Sequence, residues 1–371
     1  MGATQEQIYS GLDVDLSWSE GDLPERERTK HVHRLHPYLG KYIPQLVEEL
    51  FRRHVPADGR VLDPFAGSGT TLVQALESGL DSVGIDIASF NCLLMDVKTR
   101  EVNPFVLERE LRDVLARFAR GEGVAAVPTP FLEAWFAPVA LEELLRFRSL
   151  ATDYEHTDVL SVVLARAARS ARRTSHFDLD FPQTPQIEPY WCYKHRRECR
   201  PVERAEHFLR RYTLDTIERL KAFARVRQAR EVRVIHGDSR ELELPGPFDA
   251  VVTSPPYPGL IDYHEQHRYA YELLGLTDRR ASEIGAAEQC TSKAAIAAYV
   301  QGIAGALNSC ADGLRLGGRV VIVVNDRRDL YPEILERAGL VLEQRYSRHV
   351  NRRTGRRSGE YFEDVLVARR S

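Results

Sequence analysis

Short apolar runs, each closed by polar or glycine-rich residues, recur along the chain at residues 60–65, 82–87, 232–236 and 249–253, and again at 319–325 after Leu316-Gly317-Gly318. Runs of this length without polar alternation suit strands covered on both faces, as in a parallel sheet. Between the first two runs, Leu72, Val73, Ala75 and Leu76 fall at helical spacing within residues 70–79, which makes a βαβ unit. The chain therefore reads as α/β. Residues 340–350 and 361–369, joined by the loop 351–360, read as a terminal hairpin.

The stretch 103–230 has a different rhythm. Apolar positions at heptad-like spacing over 106–118, 141–150, 159–168 and 205–223 predict helices, interrupted at 177–193 by an extended loop in which Pro182, Pro185 and Pro189 bracket aromatic residues. The pattern predicts a mostly helical insertion between strands of a single sheet.

Composition narrows the classes. With 43% hydrophobic and 28% charged residues in 371, disordered, collagenous and disulfide-scaffold proteins are excluded. No run of about 18 to 20 consecutive apolar residues suggests a membrane span. The first twenty residues carry Glu6, Asp13, Asp15 and Glu20 and no Lys or Arg, unlike a targeting peptide, and Glu6 breaks a myristoylation signal at Gly2. A cytoplasmic location is expected. Five scattered cysteines without a CxxC pair predict reduced thiols. The net charge of −3 hides a basic segment: residues 161–230 hold 16 Lys or Arg against 8 Asp or Glu, which suggests an anionic partner held at one place.

Candidate chemistry gathers where the predicted strands end. After the first, Gly67-Ser68-Gly69 lets the backbone approach a ligand, and the helix that follows offers unpaired N–H groups to an anionic group. The GKS ending of a phosphate loop is absent, and Leu72 stands where GxGxxG needs its third glycine. Alone, this is an ordinary strand-to-helix turn. Asp86, however, closes the second strand some twenty residues on, where a carboxylate accepts both hydroxyls of a ribose, and Asp238 closes the third within reach of an adenine amino group. Three such strand ends describe a nucleoside cofactor lying across the sheet edge. The fourth strand ends in Ser254-Pro255-Pro256-Tyr257, a rigid cluster of acceptors beside a stacking ring, suited to an exocyclic amino group on a flat base.

Asp63-Pro64-Phe65 with Gly67-Ser68-Gly69-Thr70-Thr71, followed downstream by Ser254-Pro255-Pro256-Tyr257, resembles the amino-group DNA methyltransferases that use S-adenosylmethionine, most of all the cytosine-N4 members. His36-Pro37-Tyr38-Leu39-Gly40-Lys41 looks like the family's additional cofactor motif. The resemblance covers about residues 31–100 and 231–370, leaves the helical insertion unmatched and implies a doubly wound, Rossmann-like sheet with a C-terminal antiparallel hairpin. The chain then divides into an N-terminal extension at 1–30, a cofactor-binding part at 31–102, a large mostly helical insertion at 103–230 as candidate DNA-recognition region and a catalytic part at 231–371. The cofactor residues would be Tyr38, Lys41, Asp63, Pro64, Phe65, Gly67, Gly69, Thr70 and Thr71, with Asp86 and Ile87 at the ribose and Asp238 and Ser239 at the adenine. Ser254, Pro255, Pro256 and Tyr257 would be catalytic. One departure stands out: the insertion precedes Asp238, whereas the family's recognition region usually lies just before the catalytic motif.

The reaction implied is transfer of a methyl group to cytosine N4 in double-stranded DNA after the base is rotated out of the duplex. A separately acting restriction endonuclease would be its partner; adenine-N6 methylation, RNA methylation and a non-catalytic DNA-binding role are the alternatives. Carbon-5 methylation would need a Pro-Cys nucleophile, and no such dipeptide occurs. Contacts to DNA are expected from Arg172, Arg173, Lys194, Arg196 and Arg197 in the insertion, and from Arg352, Arg353, Arg356 and Arg357 in the hairpin loop. Cys192, His195 and Cys199, spaced C-x2-H-x3-C with His207 beyond, match no standard zinc finger, so no metal is expected. Asp262, His264 and His267 fall on a helix running to Leu274, as structural or solvated residues.

Overall fold

A computed structural model describes residues 13, 16–18, 21–174, 184–192, 195–286, 292–350 and 361–371. The strands are β1 Arg60–Asp63, β2 Asp81–Asp86, β3 Tyr190–Cys192, β4 Arg197–Cys199, β5 Val232–His236, β6 Phe248–Thr253, β7 Leu314–Val324, β8 Leu340–Val350 and β9 Tyr361–Arg370. Seven of them form one sheet in the order β5-β2-β1-β6-β7-β9-β8. The first five run parallel, and β9 lies antiparallel to both β7 and β8. This is the doubly wound sheet that the resemblance implies, built from the parallel strands and terminal antiparallel pair that the apolar pattern predicts.

Alternate residues along the central strands serve opposite faces. Val61, Ala250, Val252, Val321 and Val323 pack on Leu46, Val47, Leu50 and Phe51 of helix α1, Pro44–His54. Leu62, Val251, Val320 and Ile322 pack on the other side, where helix α11, Lys293–Asp312, contributes Tyr299, Ile303 and Leu307 and helix α12, Tyr331–Arg337, contributes Ile334. Burial on both faces is why the strand sequences lack polar alternation. Helix α11 is long and apolar enough to cross a membrane by composition, although Gln301 and Asn308 interrupt its apolar run; here its apolar side packs on the sheet.

The chain leaves β1 through α2, Thr70–Ser78, and β2 through α3, Ser89–Thr99. Then come α4 Pro104–Ala119, α5 Pro130–Trp135, α6 Pro138–Ala151, α7 Thr157–Ala171 and α8 Glu206–Ala224. Proline at the first turn starts α4, α5 and α6, where the missing N–H costs nothing, and the Asn103 side chain caps α4 through Phe105 and Val106 N–H. These helices do not stand away from the sheet. Leu107, Leu144, Val163 and Leu209 share one core with Val73 and Leu76 of α2 and Phe90 and Leu94 of α3.

Two local expectations change. The segment 177–193, read as an extended loop, carries strand β3 in its described part, and β3 pairs with β4 just beyond it. The helix expected through residues 262–274 is two, α9 Tyr263–Gln266 and α10 Arg268–Leu274, separated at His267. The His267 ring is buried between Tyr38 and Phe90, and its Nδ1 meets the Tyr263 carbonyl at 2.9 Å, so packing and a side-chain hydrogen bond displace regular helix there.

Candidate active site

On either side of β1 the sheet order departs in opposite directions, toward β2 and β5 one way and β6 and β7 the other. Connections diverge at such a point and leave a crevice at the carboxyl ends of the strands. A cleft lies there, lined by Tyr38, Lys41, Pro64, Phe65, Gly67, Thr70, Asp86, Ile87, Asp238, Ser239, Ser254 and Pro256 among others. Cofactor and catalytic candidates from distant parts of the chain thus share one cavity.

The glycine-rich turn is the floor. Gly67 has φ of +51°, and a Cβ there would meet the Tyr38 hydroxyl at 3.0 Å; Gly69 has φ of +78°, and a Cβ there would meet Met95 Cγ at 2.8 Å. Only glycine fits both the left-handed backbone and the space. From beneath, the buried Lys98 ammonium donates to the Ser68 carbonyl, and burial lowers its pKa well below the ordinary lysine value.

Asp86 closes β2 on the cleft. Its carboxylate accepts from the Gly67 and Ala88 N–H groups, both at 2.8 Å, and from Asn91 Nδ2 at 3.0 Å. Burial pushes its pKa from 3.8 up to about 6 against those three donors. Lys41 reaches the His33 carbonyl at 2.5 Å, and burial brings its pKa down to about 8. Asp238 lies by β5, paired with Arg240, whose Nε is 2.9 Å away.

Not every candidate faces the cavity. Asp63, Gly69 and Thr71 stand behind its wall. The buried Asp63 carboxylate accepts from Phe65 N–H at 3.1 Å, Thr253 Oγ1 at 2.7 Å, Tyr42 at 3.2 Å and Thr71, tying together β1, β6 and the start of α2. Burial raises its pKa. Pro255 is buried, and Tyr257 lies outside the lining, its hydroxyl donating to Glu363 Oε1 on β9 at 3.3 Å. The Tyr299 hydroxyl donates to the Pro256 carbonyl at 3.0 Å and holds the Pro-Pro turn.

Sequence reasoning missed Ser68, Asn91, Tyr263, Ser282, Glu283 and Ile284 in the lining. Asn91 lies in the first turn of α3, just after the strand that Asp86 ends. The 282–284 segment arrives from a loop without any motif. Glu283 accepts from His264 N–H at 3.0 Å and pairs with the buried His264 ring, while Asp262 caps α9 through Glu265 N–H at 2.8 Å; His264 and Asp262 are thus structural, as expected. Tyr38 stacks on Tyr263 with ring centroids 5.4 Å apart.

The basic candidates divide. Arg172 is a correction: it is 2% exposed, its guanidinium lies over the Tyr269 ring at 4.9 Å and Nε donates to the Arg169 carbonyl, so it braces α7 against α10 and does not reach a phosphate. Burial lowers its pKa to about 10. Arg173 is half-buried, with its backbone N–H on the Trp135 carbonyl. Arg196 and Arg197 are exposed in the β3–β4 hairpin. Lys194, Arg352, Arg353, Arg356 and Arg357 lie outside the described residues.

The cavity's chemistry fits a nucleoside with a cationic centre. Ser68 Oγ and Asn91 Oδ1 are buried in its wall without a hydrogen-bond partner, and Asp86, Asp238 and Glu283 line it with carboxylates. Comparison with known proteins agrees. A family model for N6 and N4 methyltransferases, described as DNA methylase, matches residues 11–95. The Type II methyltransferase M.MjaII of Methanocaldococcus jannaschii is 34% identical over 448 residues, covering 98% of this chain and 84% of its own length. The chain belongs to the amino-group DNA methyltransferase family. The Type II methyltransferase M.MvaI of Kocuria varians is 24% identical over 244 residues, covering 61% of this chain and 53% of its own.

This methyltransferase uses S-adenosylmethionine to methylate an amino group of duplex DNA. Bound in the cleft, that cofactor supplies an electrophilic methyl group on a sulfonium. Gly67, Ser68, Thr70, Asp86 and Ser239 line the cleft and would be the residues to hold it.

Proposed function

We propose that this methyltransferase modifies the exocyclic N4 of cytosine, rotated out of the duplex, as the protective half of a restriction–modification pair whose endonuclease acts separately. The observation that carries the reading is the chemistry at the catalytic turn: a serine, Ser254, begins the Pro-Pro-Tyr element and lines the same cleft as Gly67 and Asp86. The neutral hydroxyl and the adjacent Pro255 carbonyl accept the two amino N–H groups. An aromatic amino nitrogen shares its lone pair with the ring; hydrogen bonds from both N–H groups make it more tetrahedral and aim that pair at the methyl group. Tyr257, anchored through its hydroxyl by Glu363, offers the ring on which the base stacks. The name Type II methyltransferase, borne by both relatives, supports the restriction–modification setting.

Incubation with plasmid and isotopically labelled cofactor, followed by digestion to nucleosides and mass spectrometry, tests this. N4-methylcytosine is expected. N6-methyladenine overturns the base assignment and leaves the cleft assignment intact, while methylated RNA with unmodified DNA overturns the substrate.

A further inference from the structure

The β3–β4 hairpin is too small to be stable by itself. Each strand has three residues, Trp191 is 56% exposed, and the pair forms its own two-stranded sheet apart from the seven-stranded one. An isolated two-stranded hairpin is marginal in water. Small elements with little apolar burial are commonly held by a cross-link or a metal.

Its register brings ligands together. Cys192 pairs with Arg197 and Tyr190 with Cys199, which puts Cys192 and Cys199 on one face as diagonal neighbours. His195 stands in the turn, with Nδ1 3.4 Å from Cys199 Sγ, and the three ligand atoms all lie within 4.8 Å of one another. A tetrahedral zinc ion, with bonds of about 2.3 Å to sulfur and about 2.0 Å to nitrogen, spaces such a sulfur and nitrogen by roughly 3.6 Å. The geometry points to a zinc site in which Cys192, His195 and Cys199 supply three of the four ligands of a tetrahedral ion, water taking the fourth, and which clips the hairpin.

The donor set selects the ion. Two thiolates and an imidazole favour zinc, while magnesium and calcium require oxygen donors that this group lacks. Two other clusters have suitable atoms but unsuitable surroundings. Glu77, between His31 and His33, already accepts from the Lys30 ammonium at 2.6 Å, and Glu110 is closed on His156 Nδ1 at 2.8 Å. Irregular spacing kept the cysteine–histidine set from matching a known finger, since the pairing of β3 with β4, and not the spacing, brings its members together. The clip presents exposed Trp191, Arg196, Arg197 and Arg200 on one small hairpin, a stacking ring among phosphate-binding cations. That DNA role rests on the proposed function; the metal site does not.

The test uses the full chain, purified without chelator, with metal measured by inductively coupled plasma mass spectrometry. About one zinc ion per chain is expected, falling to background in the Cys192→Ser/Cys199→Ser double variant, and His195→Ala should lose zinc more readily to a chromophoric chelator. Cobalt-loaded protein should show thiolate charge-transfer and tetrahedral ligand-field bands that the double variant lacks. Calorimetric cofactor affinity, retained in the variants, reports that the rest of the chain is folded. Wild-type protein that takes up no zinc after reconstitution, zinc retained by the double variant, or a Cys192–Cys199 disulfide in freshly purified protein would each overturn the site. Stoichiometric zinc whose removal leaves duplex affinity unchanged supports the site and overturns the hairpin's role at DNA.

Discussion

Asp86 shows how one side chain ties ligand binding to pH. Burial pushes its carboxyl up to about 6, and if, as we propose, it holds the cofactor's ribose, it must be ionised to accept the hydroxyls. Cofactor affinity should therefore fall as pH drops through about 6, by up to about tenfold per unit, with proton release on binding. The sign for folding is opposite: a carboxyl raised from 3.8 to about 6 holds its proton more tightly when folded, so its own contribution to stability is greatest below about 4 and declines as pH rises through about 6. Calorimetry over pH about 5 to 8 reads the first effect; Asp86→Ala should abolish this pH dependence along with most of the affinity, and an unmoved profile removes Asp86 from the ribose. Arg172 makes a second case. Arg172→Ala should lower the unfolding free energy by roughly 1–3 kcal/mol, because it removes a desolvated guanidinium–ring interaction, and leave the salt dependence of DNA binding unchanged. At the proposed catalytic turn, Tyr257→Ala should lose most turnover yet keep cofactor affinity, the stacking being worth about 1–3 kcal/mol, while Tyr257→Phe, which keeps the ring and forfeits the hydroxyl's bond to Glu363, should be much milder. Equal damage from both changes would move the role of Tyr257 from its ring face to its hydroxyl.

Among elements, the packing of α2 on β2 is set by a residue that no motif reading chose. A Cβ on Gly84 would lie 2.7 Å from Leu72 Cδ1 and 3.0 Å from Ala66 Cβ. The leucine end can turn, but the Ala66 methyl cannot, so Gly84→Ala should force α2 off the sheet and cost about 1–3 kcal/mol, read as a lower midpoint in thermal unfolding. A midpoint within error of wild type would show that the turn yields. Helix α2 begins at the glycine-rich turn, so the same change should weaken cofactor binding as well. The strands, α2 and the terminal hairpin were legible in the apolar runs, since burial on both faces leaves a local mark. The break at His267 and the β3–β4 pair were not, because each is made by interactions from outside its own segment: the rings of Tyr38 and Phe90 in one case, a cross-strand register in the other.

For the whole molecule, the basic segment 161–230 separates into residues that hold the core and residues that face outward. Replacing the exposed Arg196, Arg197 and Arg200 together with Ala should weaken duplex binding uniformly across sequences and reduce the steepness of its salt dependence, by about 0.9 for each phosphate left without its cation. An unaltered slope would mean that this hairpin stays off the DNA. Local order alone determines the parallel strands, α2, the turn glycines and the strand-end acids, because burial pattern, left-handed backbone and helix starts depend on near neighbours. It also carries the Ser254 to Tyr257 element that marks the chemistry. Which strand ends meet, which carboxylate faces the cleft and which supports it from behind, and whether an arginine is a surface charge or a core brace were decided only in three dimensions. Asp63 and Thr253, joined at 2.7 Å, are 190 residues apart, and no local pattern encodes a hydrogen bond whose partners are brought together by the folding of everything between them.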